Sequence, residues 1–202
     1  MSDELILYTN PQSRGMIARW MLEEVGVPYR MVVLEYGAPM KAPDYLALNP
    51  MGKVPTLVHN GAVVTECAAI CAYLAETFPE AGLAPRPHER AAWFRWLFFG
   101  AGPLEAAVSN RALGIEVPAE RERSIGYGSF TRVMDTLEVA VSASPYLAGD
   151  RFTAADVYLG AQIGWGLQFG TIDRRPAFET YWARLAGRPA LTRASATDDM
   201  AG

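Results

Sequence analysis

Cysteine and histidine are scarce: the 202 residues hold two of each. Cys67 and Cys71 stand four apart in one helix-like segment, whereas a disulfide framework needs several cysteines at loop positions. His59 and His88 lie in separate segments, which supplies no ligand set for a metal. Charge of one sign is lacking too. The 18 basic and 22 acidic residues give a net charge of -4 without a long block of either, so nucleic acid is not an expected partner. No apolar run approaches the length that crosses a bilayer, and the opening MSDELILYTN has neither the basic segment nor the long apolar stretch of a signal peptide. The expectation is a cytoplasmic protein with no membrane partner.

Hydrophobic residues make up 50% of the chain, enough for a sizeable core in one domain or two small ones. ELILY (4 to 8) reads as a strand, SRGMIARWMLEEVG (13 to 26) as an amphipathic helix closed by Gly26, and PYRMVVLE (28 to 35) as a second strand. APDYLALN (42 to 49) is a short helical or turn segment. VPTLVHNGAVVT (54 to 65) is a hairpin around Asn60-Gly61, and ECAAICAYLAETF (66 to 78) a helix. The order is βαβαββα. After PEAGLAPRPHE (79 to 89), helical periodicity takes over through 88 to 111, 118 to 143, 153 to 167 and 176 to 187, with a short helix at 189 to 196 and a frayed tail. The expected division is an α/β domain over 1–80, a linker over 81–87 and an all-helical domain over 88–202.

NPMGKVPTL (49 to 57) poses the sharpest question. Pro55 has no N–H, so it belongs at an edge or turn rather than inside a paired ladder, yet it stands where a strand begins. One reading is an ordinary trans proline with Lys53 as a solvated charge; the other gives the bond a binding role. TECAAICAYL starts a helix directly after a strand, so its free N–H groups and positive dipole end suit a carboxylate. Glu66 there either contacts a ligand or merely compensates the dipole. Cys71 reads as a small buried apolar residue. YTNPQSRG carries no cysteine, which argues against a C-x-x-C redox pair at the first helix.

The order βαβαββα, then GKVPTL, then TECAAICAYL, then an all-helical half resembles the cytosolic glutathione transferase family, in a bacterial serine-type, theta-like or related class. The likeness covers nearly the whole chain. It implies a thioredoxin-like first domain with a cis Val54–Pro55 bond, so that Val54 turns its backbone outward and pairs with the cysteinyl part of glutathione by β-augmentation. It further implies that Lys53 reaches the glycyl carboxylate, and that Glu66 and Cys67 hold the γ-glutamyl end. Cys67 departs from the family's serine, exchanging a hydroxyl for a weak S–H donor.

Free thiols ionise near a pKa of about 8.5, and lowering that by about two units takes roughly 2.7 kcal/mol. Tyr8, Thr9, Asn10, Gln12 and Ser13 are the donors at the strand-to-helix junction. Ser13 resembles the serine of the serine-type classes and is the expected thiolate stabiliser, with Asn10 in reserve; Ser13 is alternatively only an N-cap. Tyr8 reads as a strand residue packed on the core. ERAAWFRWLFFGAGPLEAAV (89 to 108) is an aromatic helix interrupted at Gly100, Gly102 and Pro103, and the resemblance places Phe98 or Phe99 beside the electrophile. Most of that stripe reads as core or subunit interface. Thr153 and Asp156 form a capping box with a folding role.

The resemblance therefore implies conjugation of glutathione thiolate to small hydrophobic electrophiles in detoxification. It implies a homodimer, glutathione as co-substrate, no tightly bound cofactor and no metal. Two alternatives stand: a glutathione-dependent disulfide reductase or peroxidase, and a non-catalytic binding protein of the same fold.

Overall fold

The short, mostly apolar run LILYT, buried at all but Tyr8, makes β1 (Leu5–Thr9) an interior strand of a mixed sheet with strand order β2-β1-β3-β4. β2 (Arg30–Val33) runs parallel to β1, and β3 (Thr56–His59) runs antiparallel to it. β4 (Ala62–Val64) returns beside β3 through Asn60 and Gly61, whose φ values of 50° and 84° are what a two-residue hairpin turn of primed type demands. The expected hairpin is there. Helix α1 (Gly15–Val25) links the parallel strands and closes at Gly26. α2 (Pro43–Leu48) precedes β3, and α3 (Cys67–Thr77) follows β4. The order is βαβαββα, a thioredoxin-like arrangement.

The computed structural model describes residues 4–196. They fall into two units: one holds the chain through Leu83 together with the segment from Arg188, and the other is Ala84–Gly187. The last helix, α9 (Pro189–Ser195), thus belongs with the α/β unit, although the sequence reading put it with the helical half. Its small residues Ala190 and Ala194 are buried. Arg188 grips Glu24 of α1 at 2.6 and 2.8 Å, Arg193 reaches Glu23 at 2.7 Å, and Arg19 donates to the Ala196 carbonyl at 2.8 Å. The tail from residue 197 lies outside the described residues.

In the second unit, α4 (Arg90–Phe99) passes into α5 (Glu105–Ala112) through a π turn over Gly100–Leu104. The expected interruption at Pro103 is absorbed by this wider turn, which tolerates a residue with no N–H to give. The helix expected over 118 to 143 is two elements, a 3-10 segment at Ala119–Ser124 and α6 (Phe130–Ala143). Gly128, at φ 70°, breaks the run between them.

α7 (Ala154–Phe169) is buried along most of its length and opens on the expected capping box. Asp156 accepts from the Thr153 N–H at 2.8 Å and its hydroxyl at 2.9 Å, from the Leu147 N–H at 2.8 Å and from the Tyr181 hydroxyl at 2.7 Å. Burial raises the Asp156 carboxyl above its ordinary value, against the pull of those donors. α8 (Pro176–Ala186) supplies Tyr181. Among the described residues, no helix is long and apolar enough to cross a membrane.

Candidate functional site

Sheet topology gathers three segments at one end. β1 leaves the sheet into residues 10 to 14, β3 enters it from Val54–Pro55, and β4, paired Leu57 to Val64, leaves it toward Glu66. One step beyond the Tyr8 to Thr56 pair, the register sets Thr9 against Pro55, a residue with no N–H for a ladder. The Val54–Pro55 bond is cis. The Val54 N–H and carbonyl take no hydrogen-bond partner among the described residues, so an extended peptide can pair with them.

The carbonyl just before Val54 is the best-held atom of the loop. Lys53 O accepts from the Tyr45 hydroxyl at 2.6 Å and from the Asn49 amide at 2.8 Å. Tyr45 and Asn49 also meet Thr56 Oγ1, at 2.9 and 3.0 Å. Burial raises the Tyr45 phenol above its ordinary value and keeps it a donor. The Lys53 side chain is exposed. Lys41 donates its ammonium to the carbonyls of Met51 and Gly52, both at 3.0 Å.

At the first helix, Asn10 is buried and its side chain works on the backbone. Its amide donates to Leu34 O at 2.8 Å and its Oδ1 accepts the Gln12 N–H at 2.9 Å. The Tyr36 hydroxyl closes the same loop from outside, donating to Gln12 O at 2.9 Å. Ser13 Oγ donates to Asn10 O at 2.7 Å and accepts the Gly15 N–H at 2.9 Å. The hydroxyl therefore supports the helix start and, because it rotates, can turn its proton elsewhere. Gly15 sits against Thr9: a Cβ there would lie 2.0 Å from Thr9 Oγ1 and 3.0 Å from Ser13 Oγ. Tyr8 points to the opposite face, its ring 5.6 Å from that of Tyr45, which keeps it away from this loop.

Glu66 precedes α3 with φ 63° and ψ 115°, a backbone conformation costly for a residue with a Cβ and typical of ligand-binding positions. Its side chain is exposed. The Cys67 thiol turns away from it and donates to Arg14 O at 3.5 Å, tying the start of α3 to the start of α1. A hydrogen bond with Cys67, together with burial, pushes the Cys71 thiol well up, so Cys71 stays protonated and inert. Both cysteines are free.

Ser13, Asn10, Val54, Pro55, Glu66 and Cys67 thus converge on one sheet end, with Lys53 beside them. Sequence reasoning passed over Tyr36, Tyr45, Asn49 and Lys41. Tyr45 and Asn49 carried a usable signal, since they stand four apart in the segment whose sequence reads as helical, although Asn49 in fact closes α2 rather than extending it.

Comparison with known proteins fits this geometry. The family model for the glutathione S-transferase N-terminal domain matches residues 3–76. "Glutathione S-transferase 3" of Zea mays is 30% identical over 205 residues, covering 94% of this chain and 92% of that protein. "Disulfide-bond oxidoreductase YfcG" of Escherichia coli is 28% identical over 205 residues, covering 94% and 93%. The crystal structure of the theta class glutathione S-transferase from Xanthomonas axonopodis pv. citri, with glutathione bound, superposes with a TM-score of 0.74 at 29% identity, covering 96% of this chain and 97% of that one. A thioredoxin-like unit followed by a helical one defines the class, and the chain belongs to the glutathione S-transferase family.

Proposed function

We propose that this glutathione transferase attaches the thiolate of glutathione to small hydrophobic electrophiles, with Ser13 stabilising the sulfur. The observation that carries the reading is the convergence of the Asn10–Ser13 loop, the unpartnered Val54 backbone and the α3 start at one sheet end. Glutathione is zwitterionic and extended, and each part has a complement. Val54 and Pro55 take its cysteinyl backbone, Lys53 its glycyl carboxylate, Glu66 its ammonium group, and the first N–H groups of α3, from Cys67 on, its γ-glutamyl carboxylate. Asn10 shapes the loop through its own backbone contacts. No tightly bound cofactor or metal enters this chemistry.

The unit through Leu83 is the glutathione-binding part, and Ala84–Gly187 bears the electrophile's surface. Phe94 and Phe98, 38% and 72% exposed and one turn apart on α4, support a homodimer. Two free buried cysteines suit a reducing cytoplasm, where detoxification is the role proposed.

The test follows the ultraviolet absorbance of glutathione thiolate against pH in the presence of stoichiometric protein. Thiolate should appear about two pH units below its free value of about 8.5. Ser13→Ala should return it toward that value, with about 20-fold less thiolate at pH 7. An unshifted curve under saturating binding would sink the thiolate reading and leave a binding protein. The E. coli relative's name favours a second reading, glutathione-dependent disulfide reduction. Turnover of a mixed disulfide without conjugation of any electrophile would select it.

A further inference from the structure

Thr9 Oγ1 is fully buried and has no hydrogen-bond partner among the described residues. Buried polar atoms of native proteins are nearly always paired, and an orphan calls for a reason. Its surroundings supply one. Thr9 Oγ1 and Ser13 Oγ face the same point, 2.0 and 3.0 Å from where a side chain on Gly15 would begin. Only glycine leaves that space between the two hydroxyls open.

Ser13 Oγ has one proton and two acceptor positions. At rest it donates to Asn10 O and accepts the Gly15 N–H, so one acceptor position is left over. The geometry points to Thr9 as a positioning residue that acts through Ser13. When Ser13 turns its proton from Asn10 O to the sulfur of glutathione, Thr9 donates its hydroxyl proton to the remaining acceptor position on Ser13 Oγ. At rest Thr9 Oγ1 makes no bond to Ser13 Oγ, and it gains that partner as the Ser13 side chain reorients toward the sulfur; the chain Thr9 to Ser13 to sulfur then polarises in one direction, strengthening the donor that meets the negative charge. No covalent bond forms or breaks. The inference rests on the Ser13 reading above.

The test uses Thr9→Val, which keeps the shape and removes the hydroxyl, and Thr9→Ser, which keeps the hydroxyl. Bound glutathione thiolate is titrated in each, with Ser13→Ala and the double variant alongside. Thr9→Val should raise the thiolate pKa by about 0.5–1, the worth of one hydrogen bond, with the dissociation constant of glutathione at low pH unchanged. Thr9→Ser should restore it. The melting temperature of Thr9→Val should equal or exceed that of the parent, because a methyl replaces an unpaired buried hydroxyl. In the Ser13→Ala background, Thr9→Val should add nothing.

A thiolate pKa unmoved by Thr9→Val while Ser13→Ala shifts it would overturn the inference alone. A pKa unmoved by Ser13→Ala would overturn the Ser13 reading and the inference with it. Additive effects in the double variant, or a Thr9→Val chain that melts lower or fails to fold, also count against it, since the hydroxyl would then be acting elsewhere.

Discussion

Tyr45 on α2 and Asn49, the residue that closes that helix, both donate to the carbonyl oxygen of Lys53, at 2.6 and 2.8 Å. That carbonyl belongs to the peptide that orients the Val54 N–H. Recognition through a main-chain edge depends on the direction of that N–H, so under the proposed function two buried side chains outside the sheet set the edge offered to glutathione. Tyr45→Phe should raise KM for glutathione about 3- to 10-fold, the worth of one hydrogen bond, and leave kcat within about twofold. Asn49→Ala should do the same. Steady-state kinetics at varied glutathione decide it. A fall in kcat at constant KM would show that the pair serves the chemistry instead.

Gly15 separates the first helix from Thr9 by less than one side-chain atom. Gly15→Ala would force its Cβ to within 2.0 Å of Thr9 Oγ1, and the buried strand end has no room to retreat. The expected loss is at the upper end of overpacking costs, about 3 kcal/mol. Thr9→Ala, which removes the clashing oxygen, should recover much of that loss in the double variant, a coupling that urea unfolding reads directly. Independent, additive losses would contradict the close approach.

What the sequence made legible is what acts locally. Gly26 and Asn60-Gly61 announced their turns because their function is local, confined to their own φ values. So did the Thr153–Asp156 box, whose spacing is its mechanism. The cis Val54–Pro55 bond was legible through order and spacing within a known pattern. The close approach at Gly15, the contact of Tyr36 and the unit to which α9 belongs were not, because they depend on partners distant in sequence or on another element. Tyr36 meets Gln12 across 24 positions, and α9 meets α1 across more than 160. Helical periodicity reveals that a segment has a buried face and says nothing about which unit buries it.

Glu89 ties part of the stability of the helical unit to its own ionisation. Its carboxylate is buried and bonded by Arg151 Nε at 2.9 and 3.1 Å, by Arg151 Nη2 and by the Arg86 N–H. Arg151 also donates to Ala84 O. The guanidinium holds the Glu89 carboxyl below its ordinary range in spite of burial. The unfolded chain, with a glutamate near its usual pKa of about 4.3, then binds more protons than the folded one between the two values. Glu89 stabilisation is thus fully present above about pH 4.3 and is lost as pH falls through the lower folded value. Glu89→Gln should be less stable than the parent at pH 7, with the gap closing below about pH 4. Urea midpoints of both chains from pH 7 to pH 3 measure it; a gap independent of pH would refute the ionic origin.

Arg188 joins Glu24 through two parallel bonds of 2.6 and 2.8 Å, and Glu24 Oε1 also accepts the Trp20 indole N–H at 2.8 Å. The carboxylate is 8% exposed, so it has exchanged most of its water for these partners. Arg188→Ala leaves a largely desolvated charge facing one neutral donor, and should destabilise the α/β unit by about 3 kcal/mol. The penalty comes mainly from the stranded carboxylate. Glu24→Gln in the same chain should therefore return part of it, and Arg188→Lys, which cannot make the paired bonds, should be intermediate. Amide hydrogen exchange localises the effect, with faster exchange expected in α9 and the last turns of α1 while α7 is unchanged. Equal acceleration throughout the chain would mean that α9 is no separate clasp and that its arginines hold the fold as a whole.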